Sequence, residues 1–190
     1  KNKKLIKIVF WHFCQKIIFL LSDQIIVNSI LEKKNVLKMI KHNNIKIIPH
    51  GIKLELLNHK NKKLKKNPLK FVFFSKIHPS KNLLGLINLW TNKNFLKNLD
   101  LSIYGEITDN RYFEKVSKKI SKLKNIKYHG ALYKNKVKIL SKYDVFIFPS
   151  KSENFGLVVL EALASGLYII IDKKLSWGNL NKLGFASIIT

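Results

Sequence analysis

Between residues 70 and 171, short apolar runs alternate with stretches of helical period. Residues 70–74, 101–104, 126–128, 145–148 and 168–171 read as strands; 81–96, 110–123, 134–142 and 156–165 read as the helices between them. FVFF, VFIF and YIII are continuous apolar runs, so each of these strands needs cover on both faces. Such an alternation predicts an α/β chain: a parallel sheet with helices on both sides. In a sheet of that kind ligands sit beyond the carboxyl ends of the strands. The positions to examine are therefore Ser75 and Lys76, Gly105 and Glu106, His129 and Gly130, and the stretch from Pro149 to Gly156.

Upstream, 24–28 reads as a strand, 30–42 as a helix, and 45–48 as a strand stopped by Pro49. Residues 54–68 are rich in lysine and asparagine with no clear period, as expected of a linker or surface excursion. In 1–21, Leu5, Val9, Phe13, Ile17 and Leu20 fall at helical spacing. This predicts an amphipathic helix, packed on a neighbouring domain or lying on a membrane surface. Lys7, His12, Gln15 and Lys16 interrupt the apolar region and no small-residue cleavage site follows, unlike a signal peptide. No run approaches the roughly 20 apolar residues of a membrane span. The chain opens on Lys1 and enters a helical pattern almost at once, which leads us to expect a fragment.

The net charge of +25 comes almost wholly from lysine, Arg111 being the only arginine. Readers of nucleic acid rely on arginine's planar fork for bidentate contacts, and no nucleic-acid motif occurs, so no nucleic-acid partner is expected. The excess of lysine, asparagine and isoleucine also fits an AT-rich coding sequence. Beyond that, the charge leaves peripheral contact with an anionic membrane as an expectation. The single cysteine, Cys14, forms no internal disulfide and fits a reducing compartment. The location expected is cytoplasmic, with peripheral contact at the inner face of the cell membrane.

Few acids occur in this chain, yet Glu153 and Glu161 bracket seven residues in SENFGLVVLEALASG, the second inside an apolar run. Asn154, Phe155 and Gly156 precede or open a helix. A helix start offers unpaired N–H groups and partial positive charge, together a phosphate site. Glu161 stands about five residues in, roughly 7.5 Å along the axis, where a carboxylate can accept hydrogen bonds from ribose hydroxyls. Glu153, on the loop, can reach a second polyol. Each acid also has a plainer explanation, Glu153 as a cap or dipole partner and Glu161 on a solvated helix edge. Lys76 and Lys81 flank Ile-His-Pro-Ser after the first strand of the sheet, and two cations there can neutralise a diphosphate leaving group. Either could equally be a solvated surface lysine. His129 reads as structural, while His50 and His78 border the expected cleft. There is no Asp-x-Asp, no His/Cys cluster at metal spacing, no phosphate-binding Gly-x-x-x-x-Gly-Lys-Ser/Thr and no Gly-x-Gly-x-x-Gly after a strand.

These residues carry a resemblance. SENFGLVVLEALASG resembles the Glu-x7-Glu signature of the group 1 (family 4) retaining glycosyltransferases of the GT-B fold, and more narrowly of bacterial members that build lipopolysaccharide and capsule. FFSKIHPSKNLLGLINLW resembles the family's donor-diphosphate segment, KIIPHGI the segment where its two domains join, and SDQIIVNSILEKKNV the end of its N-terminal domain. LSWGNLNKLGFASII resembles a tryptophan-containing tail of the subgroup. The resemblance implies a Rossmann-like donor domain at 70–190, an interdomain linker at 49–69 and the end of an acceptor domain at 1–48. It implies transfer of a sugar from a nucleotide-diphosphate-sugar donor to a glycan or lipid-linked acceptor, with retention and with no cofactor or metal.

On the matching positions, the resemblance implies that Lys76 and Lys81 bind the diphosphate, Glu161 the ribose and Glu153 the transferred sugar. Asn154 and the amides of Phe155, Gly156 and Leu157 would hold sugar or phosphate, with Glu153 and Lys76 closest to the chemistry. The base would lie near Gly130, Ala131, Leu132 and Tyr133. Three positions depart from the pattern: lysine at 76 where the family carries arginine, His50 for asparagine, and Tyr168 for proline. The family's glycine-rich loop, its donor-facing histidine and its final crossing helix have no counterpart in the sequence, which extends the expectation of a fragment. The alternative from another class is a remnant that binds a nucleotide or a partner without turnover.

Overall fold

The computed structural model describes residues 2–52, 68–93, 96, 98–153, 155–172, 175, 177, 180, 182, 184 and 186–189. The chain forms two compact units, Lys1–Gly51 and Ile52–Thr190. The expected linker at 49–69 falls mostly on 53–67, outside the described residues.

In the first unit, helix α1 (Asn2–Leu21) leads into strand β1 (Ile25–Val27), helix α2 (Ile30–Met39) and strand β2 (Ile45–Ile47). The two strands pair in parallel. Ser29 caps α2 by accepting the Glu32 N–H at 3.1 Å, and the Glu32 carboxylate accepts the Asn28 N–H at 2.7 Å. This is a capping-box arrangement, with the return bond one residue earlier than usual. Ile25, Val27, Val36, Ile40 and Ile45 form a small core. Ile40 turns extended and ends α2 three residues before the expected 42. Phe10, Phe13 and Leu20 of α1 are exposed. Among the described residues no helix is long and apolar enough to cross a membrane.

The second unit holds six parallel strands: β3 (Phe71–Phe74), β4 (Leu101–Tyr104), β5 (Ile126–Tyr128), β6 (Val145–Phe148), β7 (Tyr168–Asp172) and β8 (Ala186–Ile189). Their order is β5-β4-β3-β6-β7-β8. Helices α3 (Leu83–Asn92), α4 (Asn110–Ile120), α5 (Lys136–Leu140) and α6 (Leu157–Ala164) fill the connections. Every residue of β3 and β6 is buried, as their unbroken apolar runs require. Phe71, Phe73, Val145 and Ile147 face a core shared with Leu83, Ile87, Trp90 and Val116. Val72, Phe74, Phe146 and Phe148 face the other, with Leu140, Val159 and Ala162.

Several boundaries differ from expectation. The helix expected at 81–96 is instead a short 3-10 turn, Pro79–Lys81, followed by α3, because Asn82 between them is left-handed at φ 56°. Asn135, also at φ 56°, delays the start of α5, which runs five residues, Lys136–Leu140, against the expected 134–142. Strand β8 was not expected at all. ASII is a brief run near the end of the sequence, with no helical pattern before it to signal another crossover. Tyr168, one of the departures from the resembled pattern, donates its N–H to the Asp144 carbonyl at 2.9 Å, a bond that proline there could not make.

Candidate functional site

Strand order turns back between β3 and β6: the chain runs outward one way through β4 and β5, then crosses to β6, β7 and β8. At such a switch point the loops leaving adjacent strands diverge and leave a crevice at their carboxyl ends. Here those loops are stitched together. The Lys151 N–H donates to the Ser80 carbonyl at 2.8 Å. Ser150, fully buried, places its Oγ 3.3 Å from that same carbonyl and 3.0 Å from the Ser152 carbonyl.

The stitch brings Lys81 and Glu153 into an ion pair, with side chains only 16 % and 23 % exposed. The Lys81 ammonium also stands 5.8 Å from the centre of the Phe148 ring, within reach of its negative face. A second pair lies close in the sequence. Glu161, on α6, accepts from the Lys136 ammonium at 3.1 Å, and Lys136 stands 5.5 Å from the centre of the Phe74 ring. Glu161 is tolerated in its apolar helix because it sits at the edge, part-buried and paired. Lys76 is exposed and makes no ion pair or hydrogen bond with another described residue.

Gly156 opens α6 at φ +81°, a conformation that disfavours any side chain. A Cβ there would also come 3.2 Å from Glu153 Cγ and 3.4 Å from Trp177 Nε1. Phe155 packs edge-on against Trp177 with ring centres 5.0 Å apart. Asn154 lies outside the described residues. Leu157 is exposed at the helix start. Gly130 is at φ +84°, Ala131 and Tyr133 are exposed, and Leu132 packs against the core cluster that contains Val159. The loop holding these four residues leads directly to Lys136, and so to Glu161.

His129 stacks on Tyr104, with centres 4.7 Å apart and an interplanar angle of 15°. Its Nε2 lies 3.3 Å from Ser102 Oγ. Burial, and then the charge of Lys127, lower the His129 pKa. Burial and the Tyr143 hydroxyl push Tyr104 up. His78 is used locally, its Nδ1 accepting the Ser80 N–H at 3.2 Å to cap the 3-10 turn. His50 belongs to the first unit. Among the described residues no three His, Cys, Asp or Glu side chains gather as a metal site.

Two residues at this edge escaped the sequence reading. Lys136 carries no local signal in a chain this rich in lysine. Trp177 was visible only as part of the tail that resembles the family's.

The sequence profile of the glycosyl transferases group 1 family matches residues 56–181, about two-thirds of the chain. The chain belongs to this family. Among solved structures, the group 1 glycosyltransferase chain superposes on sucrose-phosphate synthase of Thermosynechococcus elongatus with TM-score 0.76 and 19 % identity, over 94 % of this chain and 48 % of that one. With WaaG, a glycosyltransferase involved in lipopolysaccharide biosynthesis, the values are 0.67 and 16 %, over 86 % and 48 %. With pneumococcal O-GlcNAc transferase GtfA, solved in complex with UDP and GlcNAc, they are 0.63 and 22 %, over 83 % and 31 %. The fold is that of part of a GT-B glycosyltransferase, and the chain spans a third to a half of the length of these structures. Comparison with curated protein sequences gives no significant match.

Proposed function

We propose that this group 1 glycosyltransferase chain binds a nucleotide-diphosphate-sugar donor at the carboxyl edge of β3 and β6 and serves a retaining sugar transfer. The acceptor is a glycan or a lipid-linked glycan of cell-surface polysaccharide synthesis. The observation that carries this proposal is the pair of part-buried acid–lysine contacts, Lys81–Glu153 and Lys136–Glu161, on either side of the start of α6. Residues 1–48 are the end of an acceptor domain and 70–190 the donor domain.

The roles follow from charge and reach. The donor diphosphate draws Lys81 from Glu153, and Lys76, which has no partner among the described residues to give up, joins it. The two ammoniums stabilise the charge that grows on the leaving diphosphate. Glu153, released from Lys81, accepts hydrogen bonds from hydroxyls of the transferred sugar. Glu161 accepts from the ribose. Asn154 and the amides of Phe155, Gly156 and Leu157 hold sugar or phosphate, and the base rests on the loop from Gly130 to Tyr133. The acceptor attacks on the face that the diphosphate leaves, and the departing phosphate oxygen takes its proton, so configuration is retained. The lysines supply the positive charge, and no metal or cofactor takes part in this scheme.

Thermal unfolding with UDP, GDP, ADP, CDP and TDP, without metal, tests the donor site. A ligand at 100 times its dissociation constant stabilises by roughly 2.7 kcal/mol. The expected outcome is a shift with one nucleotide that disappears in Glu161→Ala. A wild-type shift that survives that substitution removes Glu161 from the site. Binding without sugar transfer to any acceptor favours a non-catalytic binding module.

A further inference from the structure

Trp177 lies on the connection between β7 and β8, far in sequence from the Glu153–Leu157 loop that it touches. It is tied to the core from its own side. Leu175 is buried in the cluster beneath α6, and Trp177 and Leu180 pack against the same cluster. The Leu175 N–H donates to the Asp172 carbonyl at 3.2 Å and the Leu180 N–H to the Trp177 carbonyl at 3.0 Å. The indole therefore presents its polar tip from an anchored base, and that tip, Nε1–H, donates to the Phe155 carbonyl. A part-buried tryptophan needs such an acceptor for its N–H.

The choice of acceptor has a geometric consequence. The 155–156 peptide is planar, and in the trans form its carbonyl and amide hydrogen point in opposite directions. Holding the Phe155 carbonyl toward Trp177 turns the Gly156 N–H away from the indole. The Gly156 N–H makes no hydrogen bond with another described residue. The ring contact with Phe155 holds the same peptide by a second route. Replacement of Gly156 by any larger residue would crowd a Cβ to 3.2 Å from Glu153 Cγ, with the indole Nε1 in ordinary contact at 3.4 Å. The loop is therefore gripped at two points, Glu153 by Lys81 and Phe155 by Trp177.

We infer that Trp177 is a positioning residue for the donor: through the Phe155 carbonyl it aims the Gly156 amide at the diphosphate-sugar portion of the ligand. This rests on the donor site proposed above. The nucleoside end, held by Glu161 and the loop after β5, lies outside its influence. Trp177 thereby separates the two halves of the ligand energetically.

The test is calorimetric titration of the whole 190-residue chain with a nucleoside diphosphate and with the corresponding nucleoside, for wild type, Trp177→Phe and Glu161→Ala. Phenylalanine keeps a ring against Phe155 and removes the N–H. The expected result for Trp177→Phe is a roughly tenfold loss of diphosphate affinity, with nucleoside affinity unchanged. Glu161→Ala should weaken both ligands. Because the indole N–H is bonded to the peptide that meets the ligand, Trp177 fluorescence should change on diphosphate binding in wild type, and that signal should vanish in Trp177→Phe. Equal loss for both ligands in Trp177→Phe would show that the residue only supports the fold, and unchanged affinity for both would also overturn the inference. If wild type binds no nucleotide of the panel, the donor site itself fails, an outcome distinct from either.

Discussion

At the scale of single residues, the chemistry turns on which charges are held in pairs. Lys136 is the clearest case, since its ammonium is shared between Glu161 and the face of Phe74. Lys136→Met leaves a part-buried carboxylate without its partner while keeping most of the aliphatic stem. We expect a loss of about 1 kcal/mol in urea unfolding, and, if the proposed donor site holds, a change in nucleotide affinity in the same variant, since Glu161 would then meet the ribose without a competing lysine. His129 gives a pH prediction. Its folded pKa is lowered, by burial first and Lys127 second, so the unfolded chain takes up this proton first as pH falls. Stability should decline once pH drops below about 6.5 and stop declining below the folded pKa. Unfolding curves for His129→Gln should lack that part of the slope; an identical slope in the variant would assign it to another group.

At the scale of elements, Asp144 shows how the central strands are locked in register. It lies just before β6 and is 3 % exposed. Its Oδ2 accepts the Lys70 N–H at 2.9 Å, its own N–H donates to the Lys70 carbonyl at 2.9 Å, and its carbonyl accepts the Tyr168 N–H. One residue thus clasps the amino ends of β3, β6 and β7. Asp144→Ala should cost about 2 kcal/mol of stability, read from the urea midpoint, because it strands the Lys70 N–H. Gly105 plays a similar part at the other end. A Cβ there would stand 1.8 Å from the Ser75 carbonyl oxygen, so the two strand ends leave no room for a side chain. Gly105→Ala should force β3 and β4 apart just before Lys76, costing at least about 2 kcal/mol and weakening nucleotide binding in the same sample. An alanine variant with normal stability would contradict the close approach.

At the scale of the whole molecule, charge dominates. With 36 basic residues against 11 acidic ones, like-charge repulsion opposes the compact state. Added sodium chloride should raise the thermal midpoint by screening it. It should also weaken binding of nucleoside diphosphate more than of nucleoside. A midpoint insensitive to salt would mean that the lysines are far enough apart for solvent to screen them already.

Much of this architecture is legible in the sequence alone, for a physical reason. Hydrophobic period is a local property, and doubly covered strands such as FVFF and VFIF advertise themselves by leaving no polar face. The strand ends, and the acids at 153 and 161, were visible for the same cause: a carboxylate inside an apolar run has few reasons to be there. Helix ends were less legible, since Asn82 and Asn135 adopt the left-handed conformation in their folded settings and many asparagines elsewhere do not. Strand β8 carries too little pattern to stand out. Pairing was out of reach altogether. That Lys81 meets Glu153, that Lys136 meets Glu161, and that Trp177 reaches the Phe155 carbonyl depends on β3 and β6 lying side by side and on the return of the chain through β7. Amino-acid period determined the layers of this protein; only the assembled sheet decided which of its many lysines face an acid, because that is a matter of distance in space between residues the sequence keeps apart.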